Sequence, residues 1–331
     1  MVAQVDRAYI QERPTKLFSR LISYALFEGR PLTTRGQWIN SFVFAHFAIE
    51  KRLPQMRCVE KPAFILGTGR SGTTILGIVL SMHRDVGFLN EPKAMWHSIY
   101  PEEDLIGSYS RGPAKYRLGA ADVCPAERRN AHRLFGAYLA SIFSSRLVDK
   151  YPELIFRVPF VKEIFPDAKF IFLVRNGWDT CSSIEGWSNR LGQQVNGETH
   201  DWWGVNRRKW YLLVEQIVSE HEDLAHFSTD MLSWTNHTDM AAVEWIVTMR
   251  EGMRLIEVYS EEVLRVDYES LCANSEHEIK RIAKFLGFQR EDNKFIKYAK
   301  QTLKSVTPAP SFELHQSIKK PFMETMEKLG Y

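Results

Sequence analysis

The feature that most constrains the fold is the stretch FILGTGRSGTT at residues 64–74. The apolar run before Gly67, bounded upstream by Pro62, predicts a strand, and TTILGIVLSM after Gly72 predicts a helix. Glycines at 67, 69 and 72 let the connecting loop curl so that successive N–H groups point inward, and the helix that follows adds its positive end. Strand, glycine loop and helix in this order open an α/β unit suited to an anion. Runs of similar strand character recur at DVGFLNEP, ELIFRVP, KFIFLVRNG and EVLRVDYE, with helix-length segments between them. Strands alternating with helices imply a central parallel sheet covered on both faces. In such sheets ligands sit beyond the carboxyl ends of the strands, a rule that gathers Arg70, Glu91, Arg157, Arg175 and Tyr268 on one edge. Three arginines and a tyrosine around one acid describe an anion site with a base.

The loop has the spacing of a phosphate-binding P-loop, yet Thr73 stands in its lysine position. The fold class expected is therefore α/β, a P-loop NTPase-like core, with its lysine missing. A nucleotide triphosphatase also holds Mg²⁺ partly through an aspartate at the end of another apolar strand, whereas FIFLV ends in Arg175. A second cation there calls for a second anionic group on the ligand and argues against a metal. A sulfuryl group carries less negative charge than a terminal phosphoryl group, so arginine and backbone N–H groups can stabilise its transfer without Mg²⁺. Other classes are excluded by composition. A net charge of +3 over 331 residues, with no lysine/arginine block, gives no footprint for nucleic acid. The four cysteines form no CxxC pair and no metal-ligand spacing. MVAQVDRAYIQERPTKLF has charges where a signal peptide needs an apolar run, and no stretch reaches transmembrane length. The expectation is a cytoplasmic protein without an integral membrane segment.

GTGRSGTT, FLNEP, FRVPFVKEIFPDAKFIFLVRNGWDTCSS and VLRVDYESL, in that order, resemble the sulfotransferases that use 3′-phosphoadenosine 5′-phosphosulfate (PAPS). The resemblance is nearest to the tyrosylprotein sulfotransferases and related bacterial enzymes, and it runs roughly from Ala63 to Leu286. It implies that Arg70, Ser71, Gly72, Thr73 and Thr74 grip the 5′-phosphosulfate, with Arg70 offsetting charge on the leaving phosphate. Arg175 and Ser183, eight positions on, match the pair that binds the 3′-phosphate. A strand-end arginine can fork two bonds to a phosphate that a serine two turns into the next helix also approaches. Tyr268 resembles a tyrosine on the 3′-phosphate side, and Arg157 stands where related enzymes have a lysine near the transferring sulfate. Glu91 resembles the catalytic glutamate of the tyrosylprotein branch; His97 competes, because other branches use histidine. The product implied is adenosine 3′,5′-bisphosphate (PAP), with no metal. The rival readings are a P-loop kinase or other NTPase, and a catalytically silent protein that binds PAP.

No repeat or low-complexity linker divides the chain. A single domain over 1–331 is expected, with a helical amino-terminal extension (1–60), a PAPS-binding core with inserts (61–290) and a tail (291–331) that packs near the cofactor. Lys304 in that tail reads as solvated. Residues 15–52 read as two helical segments that pack on the domain, with a membrane-surface helix as the alternative. The acceptor is expected to be a small molecule or glycan. Aromatic faces in THDWWGVNRRKWYLLVEQ beside Arg207, Arg208 and Lys209 suit stacking, and GSYSRGPAKYRLGAADVCPAERR reads either as a lid or as surface decoration. NSEHEIKRIAKFLGF predicts a helix with a capping box from Ser275 and Glu278, stopped at Gly287.

Overall fold

Phe64 and Leu66 point to one side of a sheet and Ala63 and Ile65 to the other, and all four are fully buried. In the computed structural model, which describes residues 4–288, 292–305 and 307–331, these residues form β1 (Ala63–Gly67). The other strands are β2 (Val86–Asn90), β3 (Arg146–Lys150), β4 (Lys169–Val174), β5 (Gln193–Val195), β6 (Glu198–Asp201), β7 (Gly204–Val205) and β8 (Val263–Asp267). Five of them make one sheet in the order β2-β3-β1-β4-β8, with every pairing parallel. Helices cover both faces, so β1 and β4 read as continuous apolar runs. Each large side chain so enclosed contributes about 1.5–3 kcal/mol of transfer free energy. The parallel register puts the ends Gly67, Asn90, Lys150, Val174 and Asp267 on one edge of the sheet, and the site lies there.

One expected strand is elsewhere. ELIFRVP is not in the sheet: Pro152–Arg157 forms a 3₁₀ turn that leads into helix Val158–Ile164. Pro152 has no N–H for a ladder, and Pro159 sits in the first turn of that helix. The strand is RLVDK, in the middle of the sheet between β2 and β1. Its Asp149 is fully buried and accepts a bond from Trp96 Nε1 at 2.8 Å; burial pushes its carboxyl well up, and that bond opposes the rise.

β2 is an edge strand, and the amino-terminal extension satisfies its outward backbone. Lys16 Nζ donates to Val86 O at 2.6 Å, Arg20 Nη1 donates to Phe88 O at 2.7 Å, and Glu28 Oε1 accepts from Asn90 N at 2.9 Å. Arg20 and Glu28 also pair at 2.7 Å. The extension is thus locked to the residue that precedes Glu91. β5, β6 and β7 form a small antiparallel ribbon between helices Gly177–Leu191 and Arg208–Gln216. Residues 107–119 are pinned, since Asp104 accepts the N–H groups of Gly107, Ser108, Tyr109 and Ser110, and Tyr116 and Leu118 are buried. These contacts hold the first half of the 107–129 stretch against the domain. No helix among the described residues is long and apolar enough to cross a membrane.

Candidate active site

The glycine loop joins β1 to helix Thr73–Ser81. Gly72, with φ +99°, is its turning point, and a Cβ there would lie 2.3 Å from the Tyr268 ring. A Cβ on Gly69 would lie equally close to the Trp202 indole. Glycine is needed because two aromatic rings close directly on the backbone. Ser71 is fully buried and spends its hydroxyl on Thr68 O at 2.6 Å, so it shapes the loop from within. Gly69, Arg70, Gly72, Thr73 and Thr74 face a cavity of about 630 Å³.

Arg70 has φ +70°, a conformation uncommon outside glycine. Its Nε donates to Ser183 Oγ at 3.1 Å, and its carbonyl accepts from Arg175 Nη1 at 3.2 Å. Arg175 lies over the Tyr268 ring at 4.6 Å and pairs with Asp179 at 3.7 Å. Its Nε is buried and has no partner among the described residues. Burial first, then the nearby Arg190 and Arg175 charges, push the Arg70 guanidinium down. Clustered guanidinium groups, one with an unfilled donor, suit a polyanion. Tyr268 opens helix Tyr268–Ala273 after β8, and burial raises its hydroxyl to about 12.

Glu91 follows β2 with φ +50°, and its N–H extends the ladder to Lys150 O at 2.7 Å. Two non-glycine residues in the left-handed region, both lining one cavity, are strain held by their surroundings. The Glu91 carboxylate pairs with Lys150 and lies 3.4 Å from Lys93 Nζ. Desolvation pushes this carboxyl up, but Lys150 and then Lys93 outweigh it and hold it below the usual range. The pairing continues inward: Lys93 lies 3.7 Å from Glu153, Lys209 lies 3.3 Å from Glu153 and 2.6 Å from Glu244, and Glu244 accepts from Trp202 Nε1 at 2.8 Å. Lys150, Glu91, Lys93, Glu153, Lys209 and Glu244 form an alternating chain of charge. Only Glu91 in that chain escapes burial, with its side chain 34% exposed toward the cavity.

Two expected site residues lie outside this cavity. Arg157 is buried and does not line the cavity: four of its five N–H groups are spent on Glu103 Oε2, Glu103 O, Tyr116 O and Lys115 O. The cation at the end of the intended strand is Lys150. His97 binds Pro101 O at 3.0 Å and packs on Phe44 and Tyr109; desolvation lowers its pKa, and it does not line the cavity. Lys304 is turned to Lys300 O at 3.4 Å. Sequence reasoning missed Lys150, Lys93 and Glu153 altogether. The spacing of Lys93 to Glu91 in NEPK was the one available signal. Of the tryptophan-rich insert, Trp202 and Lys209 reach the cavity, while Trp203 and Trp210 are core. Trp187, one turn after Ser183, packs edge-on against Trp202 at 5.3 Å.

Residues 62–216 match the model of the sulfotransferase family. This part of the chain is similar to that family. Among curated relatives, nodulation protein NoeE of Sinorhizobium fredii is 28% identical over 127 residues, which is 37% of this chain and 30% of the relative. Protein-tyrosine sulfotransferase A of Caenorhabditis elegans is 24% identical over 236 residues, which is 69% of this chain and 50% of the relative. The chain thus spans about half or less of the length of the curated relatives it matches. A solved sulfotransferase domain from the curacin biosynthetic pathway shares 15% identity at a TM-score of 0.47, covering 83% of this chain and 99% of that one. The family match supports sulfuryl transfer, and the parallel sheet itself establishes the α/β fold.

Proposed function

We propose that this chain moves a sulfuryl group from PAPS to a hydroxyl, less favourably a nitrogen, of a small molecule or glycan. The observation that carries the reading is that the Glu91 carboxylate and the Arg70 loop line one cavity, close enough for the Glu91 charge to act on Arg70. Arg70 and the N–H groups around Gly72, Thr73 and Thr74 would receive the 5′-phosphosulfate at the start of their helix. Arg175, Ser183 and Tyr268 would take the 3′-phosphate, filling the unpaired Arg175 Nε. Charge-assisted bonds of this kind contribute about 1.5–3 kcal/mol each.

In the transfer the acceptor oxygen forms a bond to sulfur as the bond from sulfur to the phosphate oxygen breaks, and the acceptor proton passes to Glu91. Lys150 and Lys93 keep that carboxylate ionised and fix its direction. Arg70 offsets the charge that grows on the leaving phosphate. Trp187, Trp202 and loop 30–34 wall the remaining space. Ring faces beside polar groups suit a sugar or a ring-bearing alcohol.

The test is transfer of radiolabelled sulfate from PAPS into a panel of phenols, alcohols and sugars, by the wild type and by Glu91→Gln. The reading expects labelled acceptor from the wild type and loss of it in the variant. Equal transfer by the two proteins would remove Glu91 as base, and no transfer from PAPS to any acceptor, with PAP unbound, would remove the donor.

A further inference from the structure

The outer face of the amino-terminal extension is used by neither the cavity nor the core. Helix Pro14–Ile22 packs inside out: Lys16 and Arg20 are buried, while Phe18 and Leu21 are exposed. The two cations point inward because they bond the carbonyls of β2. Helix Asn40–Glu50 is mostly apolar, with Asn40, Ser41, His46 and Glu50 its polar residues. Val43 and Phe47 face the core, whereas Phe42, Ala45, Ala48 and Ile49, with Trp38 one turn earlier, form an exposed stripe at helical spacing. Trp38 is 73% and Phe42 68% exposed. Of the sixteen large hydrophobic side chains exposed among the described residues, eight lie before residue 60, so this apolar surface is concentrated rather than scattered.

Exposed charge along the extension is mostly of one sign. The exposed charged residues from 4 to 60 are Arg7, Arg35, Arg52 and Arg57, with Glu60 the one exposed acid. The other acids there are covered or engaged. Glu28 pairs with Arg20, Glu12 with Lys297 and Glu50 with His46, and Asp6 caps the N–H of Tyr9. A second copy docked by two-fold symmetry would set these arginines against one another. Exposed aromatic and aliphatic side chains in one segment with exposed guanidinium groups match the boundary between anionic headgroups and acyl chains. We propose that this face docks the protein along an anionic membrane surface, without crossing it. Asn40 ties the docked helix to one wall of the cavity, accepting from Arg30 N at 2.7 Å and donating to Arg30 O at 2.8 Å.

The experiment is flotation of the full chain with phosphatidylcholine vesicles that contain phosphatidylglycerol, against vesicles of phosphatidylcholine alone. The expected result is binding to the anionic vesicles that weakens from about 0.1 M to about 1 M salt, as the Debye length falls from about 10 to about 3 Å. The triple variant Phe18→Ser, Trp38→Ser, Phe42→Ser and the double variant Arg35→Glu, Arg52→Glu should each bind about tenfold less, through loss of apolar and of charged contacts respectively. PAP binding, read in parallel, should be unchanged in the double variant, which alters only exposed side chains. Absence of vesicle binding, equal binding to neutral vesicles, or unchanged binding by both variants overturns the proposal. So does a dimer in sedimentation velocity that the triple variant dissolves, because the face would then be a self-interface.

Discussion

At the scale of single residues, the account turns on Glu91 and Arg175. Glu91→Gln keeps the shape of the side chain but removes the proton acceptor, and loss of a positioned base lowers turnover by about 10²–10⁴-fold. PAP affinity should stay close to the wild-type value, and calorimetry beside the rate assay separates the two effects. Arg175→Ala should weaken PAP by about 1.5–3 kcal/mol while leaving AMP, which lacks the 3′-phosphate, nearly unaffected. Equal losses for the two nucleotides would remove the 3′-phosphate assignment. Arg70, Glu91, Arg175 and Ser183 were legible as neighbours because each sits within a turn or two of a strand end, where a parallel sheet collects side chains. Arg157 was misplaced for the converse reason: its strand is a 3₁₀ turn, which directs the guanidinium to Glu103 in the interior. Burial pushes the Glu103 carboxyl up to about 7 although Arg157 opposes the rise.

At the scale of elements, four of the five sheet strands carried their signal and one did not. RLVDK has three charged residues in five, and no periodicity marks it as a central strand. Its polarity makes sense only in the assembled sheet, where Lys150 meets Glu91 and Asp149 meets Trp96. The helix expected in NSEHEIKRIAKFLGF shows a smaller departure. Ser275–Phe285 forms with Ile279 and Ile282 buried, but Ser275 lies inside the helix and makes no cap, and Glu278 pairs with Arg281 at 2.6 Å. The glycine loop gives the sharpest test at this scale. Gly72→Ala introduces a Cβ against Tyr268 at φ +99°, and strain with overpacking costs about 1–3 kcal/mol. Thermal melting should show that loss together with weakened PAP binding, and an unchanged melting temperature would mean that the ring moves away freely.

At the scale of the whole molecule, the alternating charge chain links core stability to pH. The Glu91 and Glu153 carboxyls lie below their ordinary value of 4.5; burial raises both, and the lysines outweigh it. On acidification the unfolded chain therefore takes up protons first, so the stability these groups contribute is present above about 4.5 and is lost as pH falls below it. Glu103, raised toward 7, works in the opposite direction, so the comparison should be between proteins rather than along one curve. Glu153→Gln should lower stability at neutral pH yet show a shallower acid loss than the wild type in chemical denaturation. A parallel slope would place Glu153 outside the network.

The central claim concerns the donor, and calorimetric binding of PAP, compared with AMP and with ATP plus Mg²⁺, tests it most directly. The account predicts metal-independent binding of PAP that is at least about tenfold tighter than AMP, the difference expected from charged bonds to the 3′-phosphate. Preference for ATP with Mg²⁺, or indifference to the 3′-phosphate, would contradict it and return the loop to phosphoryl chemistry.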